Sequence, residues 1–371
     1  MDTTQDLVVV VGINRREGVS VARAFLKMEN VKIRGLTKSC KPVIVREWAD
    51  LDVEIVQIDY DDEEMLSEAF NGATIIFSNT DYWEHLTDHS VDTLAWVAGR
   101  NRAETAGDYE TRQGINIIRA AAGVQTLRHF ILTSLPGAKR ESNGTMTGVY
   151  HFDAKWGVEE RLSQHFRELS DKTYIVQPGL LMEDWWKYMH RRGDGTFTIG
   201  THLPGHIRVP WLDSHFQGAL VLGIYLYVPP VQGLTIHADT KSFFEICEMI
   251  KNISGIHVSY SQWNALELEV LFPHAGQLLA DQWMYIARHG YYTQDAVDRD
   301  ELAQAYDIEI PVTSLAEFLK EDIPKHLNIG NVVTVAESGV LSDNPHTGDK
   351  LDDAIAISET WWEDFVNEHG G

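Results

Sequence analysis

The opening of the chain constrains its fold more than any other feature. Residues 7–11 are an unbroken apolar run that ends at Gly12, as in a strand buried on both faces. Val19, Ala22, Phe25 and Leu26 then recur at helical spacing. The rhythm repeats, with strands predicted at 31–36, 53–58, 73–77, 130–133 and 173–176 and helices at 61–70, 114–122 and 153–166. Strands alternating with helices predict the α/β class, with a doubly wound parallel sheet and right-handed crossovers.

Residues 81–111 break the rhythm and read as a long irregular insertion of the kind that forms lids or binding loops. Past Pro178 the chain is less regular and richer in Trp, His and Gly. This divides it into a dinucleotide-type domain over 1–180, with 81–111 inserted, and a mainly substrate-binding α+β region over 181–327. A strand and helix at 234–250 are expected to return to the first domain, and 328–371 form a C-terminal extension.

The 371 residues carry a net charge of −24, and protonating all 16 histidines leaves −8. That is a poor basis for holding a nucleic-acid backbone, so no nucleic-acid partner is expected. Two cysteines, Cys40 and Cys247, exclude a disulfide framework and suit a reducing compartment. The first six residues lack a signal pattern. The longest apolar run, 218–228, is too short to span a bilayer. The expectation is a cytoplasmic protein with no membrane partner.

The first strand meets the first helix through Gly12-Ile13-Asn14-Arg15-Arg16-Glu17-Gly18. Glycines here let backbone approach a pyrophosphate at a helix N-terminus. Gly12 and Gly18 fit the outer positions of G-x-x-G-x-x-G. Arg15 replaces the middle glycine and instead offers a phosphate a positive charge. The alternative is a structural turn with no ligand. Enzymes for the unphosphorylated cofactor place an acid at the end of the second strand. Thr37-Lys38 stand there and suit a 2′-phosphate, hence NADP(H), unless Lys38 is an ordinary surface lysine. Asp59 is placed for adenine. Ser78, Asn79 and Thr80 lie at the carboxyl edge of the fourth strand, where such sheets bind ligands.

Taken in order, Val10-Val11-Gly12, Gly18-Val19-Ser20, Arg34-Gly35-Leu36-Thr37-Lys38, Gln57-Ile58-Asp59-Tyr60, Thr80-Asp81-Tyr82-Trp83, Thr133-Ser134-Leu135, His151-Phe152-Asp153-Ala154-Lys155 and Gln177-Pro178-Gly179 resemble the NmrA-like branch of the atypical short-chain dehydrogenase/reductases. Gly290-Tyr291-Tyr292 and residues 314–319 resemble that family's closing elements, so about residues 5–325 are covered. The resemblance implies a Rossmann domain binding NADP(H) through Gly12, Asn14, Arg15, Gly18, Thr37, Lys38, Asp59, Ser78, Asn79, Thr80, Lys155 and Pro178. It also implies a smaller C-terminal domain closing a cleft. Some family members are redox-sensing regulators that bind a protein partner; others are reductases, several in fungal specialised metabolism.

Short-chain reductases pair a tyrosine acid with a lysine four residues on, the lysine lowering the acid's pKa and holding the nicotinamide ribose. Here His151 precedes Lys155 by four, and Tyr150 is offset by about 100° on the helix. The candidate catalytic residues are therefore Lys155, His151 and Ser134, with the lysine read either as part of the chemistry or as a cofactor clamp, and the histidine either as a donor or as a satisfied helix residue. An iminium ion needs no proton donor, because hydride neutralises it. The expected activity is thus NADPH-dependent reduction of a bulky nitrogenous or conjugated natural-product intermediate, with a coupled cyclisation as an extension. The acidic chain favours a cationic substrate. The alternative is a non-catalytic redox sensor with a protein partner. Trp83, Asp184, Trp185 and Trp186 are the candidate substrate wall, with Glu183, Trp211, Trp283 and Tyr285 as further candidates, each equally readable as packing. His85 and His89, with Asp88, lack a third ligand, so no metal is expected.

Overall fold

The computed structural model describes residues 5–307 and 312–327. The extension over 328–371 lies outside the described residues. Seven strands form one all-parallel sheet: β1 (Asp6–Val11), β2 (Val31–Thr37), β3 (Glu54–Gln57), β4 (Ile75–Ser78), β5 (His129–Thr133), β6 (Thr173–Pro178) and an edge strand Leu234–Ile236. The spatial order is edge strand, β6, β5, β4, β1, β2, β3. This is the expected doubly wound, Rossmann-type α/β fold. The strand order reverses between β1 and β4, which makes their carboxyl ends the ligand crevice.

The period of two along β1 splits the core. Val8 and Val10 pack with Val21, Phe25 and Ile224 on one face, and Val9 and Val11 pack with Ile117, Phe130 and Leu132 on the other. The first helix, α1 (Arg16–Phe25), lies against the helix Ser214–Tyr227, which contains the long apolar run. Gly218 makes this possible: a Cβ there would stand 2.0 Å from the Ser20 carbonyl oxygen.

The stretch read as an irregular insertion is helical. Asp81, Asp88 and Asn101 cap the helices Tyr82–Thr87, His89–Ala98 and Arg102–Ala122 with their side-chain oxygens, and Gly99 ends the second in the left-handed conformation at φ 63°. The helix expected at 114–122 is therefore the last part of one that begins at Arg102. Gly107 and Gly114 let it approach the helix Tyr150–His165: a Cβ on Gly114 would stand 2.3 Å from Val158.

Beyond β6 the chain builds two small sheets. One orders Asp239–Ser242, Arg208–Leu212 and Leu180–Leu181, and the other Val258–Gln262, Phe197–Thr201 and Met189–Arg191. An aromatic core with Trp185, Trp211, Phe243, Trp283 and Tyr285 joins them to the helices. The strand Leu234–Ile236 pairs with β6, but the following helix, Phe243–Ser254, does not return to the main sheet. It buries Phe243, Ile246 and Ile250 in that aromatic core, because its apolar face matches the small sheets. No described helix is long and apolar enough to cross a membrane.

Candidate active site

The turn after β1 is built for close approach. Gly12 has φ +74°, and the N–H groups of Gly12 and Ile13 donate to the Leu36 carbonyl at 3.0 and 3.1 Å. A Cβ on Gly18 would stand 2.1 Å from the Gly12 carbonyl oxygen, so α1 can pack on the turn only with glycine there. Arg15 caps α1 in extended conformation, and its guanidinium swings sideways to Asp81 at 3.2 Å and Glu84 at 2.6 Å. Burial works against that charge, but Asp81 and Glu84 more than offset it and hold the guanidinium above its ordinary value. Lys38 meets the other oxygen of Glu84 at 2.6 Å.

These groups frame a groove lined by Gly12, Asn14, Arg15, Thr37, Lys38, Tyr60, Asn79 and Thr80, with about 30 Å³ of free space. Three predicted members line neither this groove nor the cleft beside it: Gly18, buried under the turn, Asp59 and Ser78. Asp59 is exposed and its carboxylate caps the Asp61 N–H at 2.9 Å. The next residue, Tyr60, faces the groove instead, accepting from the Gly12 N–H and donating to the Leu36 carbonyl, each at 3.3 Å. Ser78 is fully buried and lines neither the groove nor the cleft beside it.

That cleft, of about 460 Å³, runs from Asn14, Arg16 and Glu17 past Asn79 and Thr80 to Pro178 and the second half of the chain. Lys155 stands in it. Its ammonium donates to the Thr80 carbonyl at 2.6 Å and to Asn79 Oδ1 at 3.2 Å, and pairs with Glu110 at 2.9 Å. Glu110 is fully buried and also accepts from the Thr80 hydroxyl at 2.7 Å. Nothing in the sequence reading singled out Glu110. The available signal was a lone carboxylate on the small-residue stripe Ala103, Ala106, Gly107, Gly114 of an unrecognised helix.

His151 lines the cleft, but its Nε2 is bonded to Gln282 Oε1 at 2.8 Å and burial lowers its pKa to about 4. It is neutral near pH 7. Tyr150 packs beside Gly107 and does not line the cleft. Ser134 is buried with its hydroxyl on the Leu135 carbonyl at 3.4 Å. By strand alternation Thr133, not Ser134, faces the cleft.

The aromatic wall also differs from the expectation. Trp83 and Asp184 line the cleft. Trp185 does not: it is fully buried and its indole N–H donates to Asp322 at 2.8 Å. Trp186 stacks on His326 at 4.7 Å, outside the lining. Trp211, Trp283 and Tyr285 are core residues. Tyr82, Phe152, Tyr188, Phe272 and Tyr291 complete the wall. The Tyr82 hydroxyl donates to the Ala103 carbonyl and that of Tyr291 to the Pro178 carbonyl. Burial, reinforced by the Asp184 charge, pushes the Tyr188 phenol far up.

The chain's negative charge does not extend into the cleft. Arg15, Arg16, Lys155 and Lys187 face Glu17, Asp81 and Asp184 there. Asp184 is committed to Arg16 at 3.0 Å and Lys187 at 3.2 Å, tying α1 to the short segment Met182–Tyr188. Burial opposes its ionisation, but Lys187 and Arg16 prevail and hold it at about 2. A depressed carboxyl contributes stability that is complete above the unfolded pKa of about 4 and is lost as pH falls through the folded value. Asp184→Asn is expected to remove that acid limb, read by denaturant unfolding at several pH values between about 5 and 2.

His85 is buried against Gln113 at 3.1 Å while His89 is exposed on the next helix, so they do not converge. Among the described residues Glu183, Asp213 and His215 do converge. Hydrogen bonds to Asp213 and Glu183 raise His215 to about 10.

A glycine turn at the reversal point of a parallel sheet, opening on a lysine-bearing cleft, defines a protein of the Rossmann class. The chain belongs to the NmrA-like family, which its residues 4–319 match. It is 24% identical over 287 residues to the NmrA-like family domain-containing oxidoreductase FrzB of a Cladobotryum species, covering 71% of this chain and 79% of that one. Its fold is similar to that of NmrA, a negative transcriptional regulator solved in complex with NADP (TM-score 0.66, 20% identity, 88% of this chain and 98% of that one). It is also similar to the Citrobacter triphenylmethane reductase solved with NADP(H) (TM-score 0.60, 15% identity, 85% and 99%).

Proposed function

We propose that the protein is an NADP(H)-dependent reductase of a bulky, conjugated or iminium-bearing small molecule. One observation carries the reading: an aromatic-walled cleft of about 460 Å³ opens directly on Lys155 and the strand ends, with a histidine rather than a tyrosine four residues before that lysine. The residues present fit the cofactor. Gly12 leaves the turn open beside the helix N-terminus, Gly18 lets α1 pack on that turn, and Arg15 and Lys38 are cations at the edge where a ribose phosphate belongs. Asn14, Thr37, Asn79, Thr80 and Pro178 line its path. When bound, NADPH supplies a hydride.

The chain's own residues do the rest. Asn79, Thr80 and Glu110 fix the Lys155 ammonium, which holds the nicotinamide ribose. Trp83, Tyr188 and Phe272 exclude water and present π-faces to a cation. His151 is turned to Gln282, and the Tyr82 and Tyr291 hydroxyls donate to backbone carbonyls, so none of the three is set up as the tyrosine acid of a short-chain reductase. Hydride addition to a C=N⁺ carbon moves the π pair onto nitrogen and neutralises it, so no donor is needed. A protein that only senses cofactor redox state needs the cofactor groove alone, and this chain adds an aromatic-walled cleft beside it.

The test is NADPH oxidation by the purified protein with iminium, quinone-type and neutral ketone acceptors. Turnover of the first two with ketones inert is expected. Efficient ketone reduction that is lost in His151→Phe overturns the reading.

A further inference from the structure

We infer that Glu84 sets the balance between phosphorylated and unphosphorylated dinucleotide by holding the place of the 2′-phosphate. The inference rests on the cofactor reading above and goes beyond it. Arg15 and Lys38 come from different strand ends, yet they converge on one carboxylate, with Arg15 on Glu84 Oε2 and Lys38 on Glu84 Oε1, each at 2.6 Å. A carboxylate bridging two cations presents the same pattern of oxygens that a phosphate would.

Space points the same way. The groove between these side chains is tight, with about 30 Å³ of free space. A 2′-phosphate reaches both cations only where Glu84 gives way. Glu84 is well placed to do so. It sits on the six-residue helix Tyr82–Thr87, a quarter exposed, while Arg15 is anchored at the cap of α1 and also reaches Asp81.

The two cofactors see this carboxylate with opposite sign. A 2′-phosphate competes with it for Arg15 and Lys38 and meets its like charge. An unphosphorylated ribose can donate its hydroxyls to it, as it does to the acid that usually ends the second strand. Glu84 therefore supplies, from the helix after the fourth strand, the acid that Thr37-Lys38 lack, and it restrains the NADP(H) preference those two residues would otherwise give.

The experiment is fluorescence titration of the full chain with NADPH and with NADH, for the native protein, Glu84→Gln and Glu84→Ala, with thermal unfolding as a check on folding. Glu84→Gln is expected to raise the NADPH:NADH affinity ratio about tenfold. Adding Lys38→Gln is expected to abolish that gain, which a merely structural role for Glu84 would not explain. If Glu84→Gln misfolds, Glu84→Ala supplies the same reading. Native protein that binds dinucleotide, with a ratio unchanged or lowered in the variants, overturns the inference and leaves the cofactor reading standing. Protein that binds neither nucleotide in any form overturns both.

Discussion

Lys155→Met is expected to lower the stability of the protein by about 3–5 kcal/mol, and Lys155→Met combined with Glu110→Gln is expected to recover most of that loss. Glu110 is fully buried and the lysine 12% exposed, so the pair is an ion pair largely removed from water. Removing only the cation strands a carboxylate whose remaining donor is the Thr80 hydroxyl. Removing both charges leaves a thioether and an amide of similar volume and no isolated ion. The measurement is a double-mutant cycle by denaturant unfolding near neutral pH. Additive losses would mean that the two charges are not coupled in solution. Dinucleotide affinity is expected to fall in both the single and the double variant, since neither carries the ammonium. That separates the structural share of the lysine from its binding share.

A second large effect is expected between neutral pH and about pH 4. His151 and His190 are both buried, and burial lowers each to about 4, against about 6.5 unfolded. In that window the unfolded chain binds protons that the folded one refuses, so stability falls as the solution is acidified. Each histidine contributes up to roughly 3 kcal/mol to the fall. The limb is distinct from that of Asp184, which comes in only at lower pH. His190 packs on Trp263 at 4.5 Å between ring centroids, with neither ring nitrogen bonded among the described residues. His190→Phe is therefore expected to flatten about half of the slope without loss near pH 7. A curve as steep as the native one would show that His190 titrates in contact with water.

The central sheet was legible because a strand covered on both faces must be continuously apolar. Residues 7–11 could hardly be anything else, and Gly12 and Gly18 mark a turn that only backbone can fill. Lys155 was singled out through the family resemblance, four residues after His151, and it lines the cleft. Residues 81–111 were not legible, because the first two helices there are short and the third, Arg102–Ala122, opens with small and polar residues rather than a wide apolar stripe. Their caps, Asp81, Asp88 and Asn101, were the readable signal. Reading that stretch as a loop hid Glu110, and with it the partner of the most important cation. The tryptophans failed for another reason. Residue type says that an indole will be covered, not by what, and Trp185 finds its acceptor in Asp322 on a helix near the end of the described chain. Ser134 was misplaced by one position, and along a strand one position is the opposite face.

The helix Ser214–Tyr227 and the strand Leu234–Ile236 have a consequence for how the molecule is made. The face of α1 is covered by a segment about two hundred residues downstream. There the Ser20 hydroxyl donates to the His215 carbonyl at 2.7 Å and accepts from the Gly218 N–H at 2.9 Å. The free edge of β6 is closed later still. During synthesis α1 therefore emerges from the ribosome with the face that meets Ser214–Tyr227 bare, and it stays so until that segment follows it. A truncated product ending at residue 180 would carry the glycine turn without the support that fixes it, together with an unpaired parallel edge prone to self-association.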